Sequence, residues 1–146
     1  LMDPSRIDLK RELNEQVKSR DFWMPFAATI LDEREKDYLL NPKNIKASFM
    51  SIGFDTTVKG QKALAAAIHP YDFSCRPQML NKEDNPDYYR LIKYFESLTG
   101  IGAVLNTSFN YHGEPVVCSP KDALHTFSVT GLKYLALGDY LISKKS

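Results

Sequence analysis

The stretch Asn85-Pro-Asp-Tyr-Tyr-Arg-Leu-Ile-Lys-Tyr-Phe-Glu-Ser-Leu-Thr-Gly100-Ile-Gly-Ala-Val-Leu105 decides the class of this fold. Asn85 suits an N-cap, Pro86 suits the first helical position, and Gly100 is a stop. Between them Tyr88, Leu91, Ile92, Phe95 and Leu98 recur with helical spacing and predict one apolar face. The apolar run Ile101 to Leu105 is too short for a second helix and reads as a buried strand. A helix that feeds directly into a buried strand predicts an α/β or α+β chain built on one sheet, most of it mixed.

The elements on either side fit that frame. Upstream, Ser5-Arg-Ile-Asp8 has capping-box spacing, and Leu9, Leu13 and Val17 predict a helix over residues 6–18. Phe26 to Leu31 reads as a buried strand, the charged run Asp32 to Asp37 as a short surface helix, and Ala47 to Thr57 as a strand that Lys59-Gly60 ends. Ala63 to Ile68 is read as a further strand. Downstream, Ser119-Pro-Lys-Asp122 opens a capped helix that runs to Gly131, and Tyr134 to Leu137 and Tyr140 to Ile142 form strands around Gly138-Asp139.

With 146 residues the chain has the length of one domain, and 43% apolar residues supply a packed core. Nineteen Lys and Arg against eighteen Asp and Glu leave a net charge of +1, which argues against binding nucleic acid through a broad basic face. No stretch approaches a membrane span and no signal-peptide pattern is present, so the expected address is the cytoplasm. Two cysteines without a CxxC, and three histidines without ligand spacing, predict neither a disulfide framework nor a metal site. The chain opens at Leu1, which reads as a piece of a longer polypeptide.

Polar residues with chemical potential concentrate in Asn106-Thr-Ser-Phe-Asn-Tyr-His-Gly-Glu-Pro115, where the chain leaves the buried strand. The hydroxyls of Thr107 and Ser108 and the amide of Asn110 suit phosphate oxygens; equally, such residues bond their own backbone in a turn. Lys18 and Arg20 stand at the end of the first helix, where cations complement the helix dipole or neutralise a polyphosphate. Arg76 offers a fork that can grip phosphate, or else a solvated surface charge. His69 and Asp72 read first as a proline-containing turn in which Asp72 caps its own backbone. A Ser108, His112 and Asp72 triad lacks the Gly-x-Ser-x-Gly elbow, and Cys118 reads as a buried small hydrophobe.

Four ordered blocks, Lys18 to Ala27, His69 to Gln78, Glu83 to Ile92 and Asn106 to Pro115, resemble the C-terminal domain of the NodU, CmcH and TobZ type carbamoyltransferases. The resemblance implies a single YrdC-like domain over residues 1–146, a twisted mixed sheet with flanking helices. It also implies that carbamoyl phosphate and ATP, with Mg2+, are converted to carbamoyl adenylate, while an actin-like N-terminal domain transfers the carbamoyl group to a hydroxyl. Lys18, Arg20 and Arg76 would be the catalytic cations, and Thr107, Ser108 and Asn110 would join them in holding nucleotide and phosphate. Met24 departs from the pattern, because many relatives carry an arginine there. Two other readings stand beside it: a nucleotide- or RNA-binding module without turnover, and a structural domain that docks on the N-terminal partner.

Overall fold

The computed structural model describes residues 1–21 and 24–144. Phe22 and Trp23, inside the first resemblance block, lie outside the described residues, as do Lys145 and Ser146. Helices and strands interleave as the sequence predicts. The first helix, α1 (Ile7–Leu13), continues as a π-turn (Asn14–Lys18). Then follow β1 (Ala27–Leu31), a 3₁₀ turn (Asp32–Arg34), α2 (Glu35–Tyr38), β2 (Leu39–Leu40), β3 (Asp55–Thr56) and α3 (Val58–Ala63). The second half holds β4 (Gln78–Leu80), α4 (Pro86–Thr99), β5 (Ala103–Asn106), α5 (Pro120–Val129), β6 (Tyr134–Leu137) and β7 (Tyr140–Ser143).

Two compact units emerge, one of residues 1–9 and 22–107, the other of residues 10–21 and 108–146. The first unit is organised by β1, whose five residues are all buried. On one side β4 pairs with it in parallel, aligning Thr29 with Gln78 and Leu31 with Leu80. On the other side β5 pairs antiparallel, aligning Ala27 with Asn106 and Ile30 with Ala103. The sheet is therefore mixed, as expected, and among the described residues it holds three strands; β2 with β3 and β6 with β7 form separate two-stranded pairs.

One face of the three-stranded sheet carries Leu31, Leu80 and Val104, and α4 lays Ile92, Tyr88, Tyr89 and Phe95 against it. Local chemistry explains where α4 begins and ends. The Asn85 side chain accepts from the Tyr88 N–H, Pro86 opens the first turn, and Gly100 closes the last with φ 76°. The predicted apolar face needs one correction: Leu91 is half-exposed and Leu98 is 85% exposed, so Tyr89 rather than these leucines borders the core. Helical spacing alone makes the apolar stripe wider than the surface that α4 covers.

Several sequence readings fail for identifiable reasons. Ser5 and Asp8 form no capping box, because the Ser5 hydroxyl donates to Asp3 and the Asp8 carboxylate pairs with Arg6. Residues 47–53 turn instead of extending: Met50 has φ 52°, Phe49 is exposed, and only the Ala47 carbonyl meets β4, accepting from the Met79 N–H at 2.7 Å. Lys59-Gly60 does not end a strand but lies inside α3, capped by Thr57, whose hydroxyl accepts from the Gly60 N–H at 2.9 Å. Ala63 is the last residue of that helix and 64–68 form turns, so no strand runs from Ala63 to Ile68; alanine's helical preference wins. Cys118 is exposed, not buried, because it precedes the capped start of α5 and its N–H faces Asp122.

Gly60 is required for a steric reason. A Cβ added there would stand 2.1 Å from the Tyr38 carbonyl oxygen. That contact is backbone and cannot rotate away, so α2 and α3 would have to separate. Gly60→Ala is expected to destabilise the protein by about 1–3 kcal/mol, read as a lowered denaturant midpoint. A midpoint equal to the wild type would mean that this approach is looser than described.

In the second unit α5 starts with a complete capping box, in which Ser119 accepts from the Asp122 N–H and the Asp122 carboxylate accepts from the Ser119 N–H. Ala123, Thr126 and Phe127 are its buried residues. The hairpin of β6 and β7 turns at Gly138, which has φ 56°. Among the described residues no helix is long and apolar enough to cross a membrane.

Candidate functional site

Within the second unit the π-turn and the loop after β5 are locked together around Lys18. The π-turn closes when the Ser19 N–H donates to the Asn14 carbonyl at 2.7 Å, with Ser19 itself at φ 44°. Asn14 then clamps the next residue on both sides, accepting from the Arg20 N–H at 2.9 Å and donating to the Arg20 carbonyl at 2.8 Å. This winding leaves the carbonyls of Val17 and Lys18 without helical partners. The loop supplies them: His112 donates its backbone N–H to Val17 and its ring Nδ1–H to Lys18 at 2.7 Å.

The Lys18 side chain is only 4% exposed. Its ammonium donates to the Asn110 Oδ1 at 2.6 Å, the Asn110 carbonyl at 3.1 Å and the Ser108 hydroxyl at 3.2 Å. All three of its protons are thereby used on neutral oxygens. Ser108 donates in turn to Asn110 Oδ1 at 2.7 Å, and the Asn110 amino group donates to the carbonyls of Tyr111 and Glu114. Among the described residues no carboxylate pairs with Lys18. Burial first, and then the nearby Arg20 guanidinium, push its pKa down from the usual lysine value to about 8. A buried cation with no counter-charge is costly to keep, and an anion delivered from solution would relieve that cost.

Of the six expected site residues, the second unit gathers Lys18, Arg20, Ser108 and Asn110. Arg76 and Thr107 belong to the first unit, where they leave the sheet at one end: Arg76 stands two residues before β4 and Thr107 directly follows β5. That shared end follows from topology, since β4 runs parallel and β5 antiparallel to β1. The turn reading of the 106–115 loop holds, for its side chains bond one another and their own backbone, and they also hold the lysine.

The triad does not form: the Nδ1–H of His112 goes to the Lys18 carbonyl and the Ser108 proton goes to Asn110. Asp72 caps its own turn, accepting from the Ser74 N–H at 2.8 Å. That contact also holds its carboxyl below the ordinary aspartate value, chiefly through the Ser74 N–H. No group of three His, Cys, Asp or Glu among the described residues could hold a metal ion.

Sequence reasoning missed a polar cluster in the first unit. Thr29, fully buried in the middle of β1, donates its hydroxyl to Gln78 Oε1 at 3.1 Å and accepts from the Tyr88 hydroxyl at 3.0 Å and the Asn106 amino group at 3.3 Å. The available signal was a threonine inside an otherwise apolar buried run.

Taken together, these features define an α/β chain that holds a buried, uncompensated lysine against a polar loop. The family described as Carbamoyltransferase C-terminus matches residues 1–144, and the chain belongs to that family. It is 44% identical over 135 residues to an uncharacterized protein of Methanocaldococcus jannaschii, covering 92% of this chain and 26% of that one. It is 35% identical over 147 residues to the nodulation protein NolNO of Sinorhizobium fredii, covering 100% of this chain and 22% of that one. A 3'-hydroxymethylcephem-O-carbamoyltransferase of Amycolatopsis lactamdurans shares 30% identity over 82 residues, 56% of this chain and 16% of that protein. The chain thus spans about a quarter of the length of the relatives it matches first.

Proposed function

We propose that the chain is the part of an O-carbamoyltransferase that activates the carbamoyl group, forming carbamoyl adenylate from carbamoyl phosphate and ATP. One observation carries this reading: Lys18 is buried and, among the described residues, its ammonium is bound only to neutral oxygens beside Arg20. Such a group suits a polyphosphate whose charge grows or shifts during transfer. The chemistry balances with one water. Water opens carbamoyl phosphate to carbamate and phosphate, and a carbamate oxygen then displaces pyrophosphate from the α-phosphorus of ATP.

Phosphoryl and nucleotidyl transfers depend on positioning and charge stabilisation more than on a general base, so a constellation of cations and neutral donors is sufficient. Any magnesium would be brought in with the triphosphate and would neutralise part of its charge, with Lys18 and Arg20 left to neutralise the rest. Transfer to an acceptor hydroxyl is assigned to an actin-like domain of the same polypeptide, and the cytoplasm is the expected compartment.

The test is pyrophosphate release from ATP that depends on carbamoyl phosphate, in the full-length polypeptide. Lys18→Ala and Ser108→Ala are expected to lower it by about 10²-fold or more and about tenfold respectively, in line with the loss of a charged and a neutral donor. Activity equal to the wild type in both variants removes these residues from the site.

A further inference from the structure

The Thr29 cluster leaves two complementary groups unused. Thr29 takes the Gln78 carbonyl oxygen and one proton of the Asn106 amide. The Gln78 amino group and the Asn106 carbonyl oxygen find no partner among the described residues, and no side-chain nitrogen or oxygen there is buried without one, so both atoms reach open space. Register fixes where they are. Gln78 opens β4 and Asn106 closes β5, on opposite sides of β1 and on the same sheet face as Thr29. Further along that face the side chains become apolar with Leu31, Leu80 and Val104, so the polar groups occupy one end only.

We infer that Gln78 and Asn106 form a recognition site for a primary carbamoyl or amide group, a planar NH2 beside a C=O. The Gln78 amino group donates to the ligand carbonyl, and the Asn106 carbonyl accepts from the ligand NH2. The Thr29 hydroxyl fixes both side chains by accepting from one and donating to the other, and Tyr88 holds Thr29 from α4. An acetyl group has the carbonyl but a methyl where the NH2 belongs, so it would leave the Asn106 oxygen unpaired; sites built to bond a polar group reject the analogue that lacks it. The choice of a carbamoyl ligand rests on the proposed function, whereas the site itself is built wholly within the first unit.

The experiment titrates the folded protein with methyl carbamate and, separately, methyl acetate, following the side-chain amide signals of Gln78 and Asn106 by ¹⁵N–¹H NMR. Methyl carbamate is expected to shift both signals at concentrations about tenfold lower than methyl acetate, the worth of one neutral hydrogen bond. Gln78→Glu keeps the oxygen that Thr29 uses but sets an acceptor against the carbonyl that both probes carry, so it is expected to weaken the response of the Asn106 signal to both.

Equal response to the two probes, no response to methyl carbamate up to its solubility limit, or an undiminished response to it in Gln78→Glu overturns the inference. The wild-type comparison stands even if the variant fails to fold. Neither probe carries phosphate, so the outcome is independent of ATP turnover. A preference without carbamoyl-phosphate-dependent pyrophosphate release would retain this site and discard the proposed function, and turnover without a preference would do the reverse.

Discussion

Lys18→Met is expected to produce a protein that is more stable than the wild type and close to inactive. The two effects share one cause. Methionine fills nearly the same volume but carries no charge that must leave water, and replacing a buried charge by an apolar isostere commonly stabilises by about 1–4 kcal/mol. The fall of the Lys18 pKa to about 8 corresponds to a folding penalty of about 3 kcal/mol for holding the proton. Lost hydrogen bonds to Ser108 and Asn110 offset part of the gain, so a net stabilisation of about 1–3 kcal/mol is expected by chemical denaturation.

Carbamoyl-phosphate-dependent pyrophosphate release should fall by about 10²–10³-fold in the same variant. A variant that is destabilised by several kcal/mol would show that Lys18 is a structural pillar of its loop instead of a charge held ready for a ligand.

The pH dependence has a definite sign. Below pH 8 Lys18 is protonated in both folded and unfolded states, and its cost is fully present. Between pH 8 and about 10.5 the unfolded chain still binds the proton while the folded chain has released it, so stability rises with pH across that window. The wild type should therefore gain on Lys18→Met between pH 8 and 10.5 and run parallel to it below pH 8. Affinity for a polyphosphate should move the other way, weakening above pH 8 as the ammonium loses its proton. Isothermal titration with ATP and magnesium at pH 7 and pH 9 measures this directly.

Ile92→Ala is expected to cost about 2–5 kcal/mol, a large share of the about 5–15 kcal/mol that holds an ordinary domain together. Ile92 is fully buried, and it joins α4 to Leu31, Leu80 and Val104 on the sheet. Truncation would leave a cavity between rigid elements that cannot close over it. Leu98→Ala, on the exposed side of the same helix, should stay within about 0.5 kcal/mol. Denaturant midpoints of the two variants give the comparison, and similar values would mean that α4 does not bury the face described.

The sequence made visible those parts of the molecule whose signals are local. Asn85, Pro86 and Gly100 bound α4, Ser119 and Asp122 start α5, and Gly138 turns the final hairpin, each through a contact within a few residues. The polar loop at 106–115 and the cations at Lys18 and Arg20 were legible as chemistry. Their partnership was not, because Lys18 and Asn110 are 92 positions apart. The stretch 47–57 misled because its apolar residues look like a strand although no neighbouring strand pairs with most of it. Thr29 passed unnoticed for the opposite reason: one hydroxyl in an apolar run has no periodic signature, and its meaning comes from Gln78 and Asn106 on adjacent strands.

The π-turn at Asn14–Lys18 has an implication for sequence length. A π-turn is an α-helix carrying one surplus residue. Deleting a single residue there would return the backbone to ordinary winding, and the bond from the Ser19 N–H to the Asn14 carbonyl, with the two Asn14 bonds that hold Arg20 beside the lysine, would be lost. Chains descended from a common ancestor could exchange many side chains here, yet an insertion or deletion of one position would silence the site.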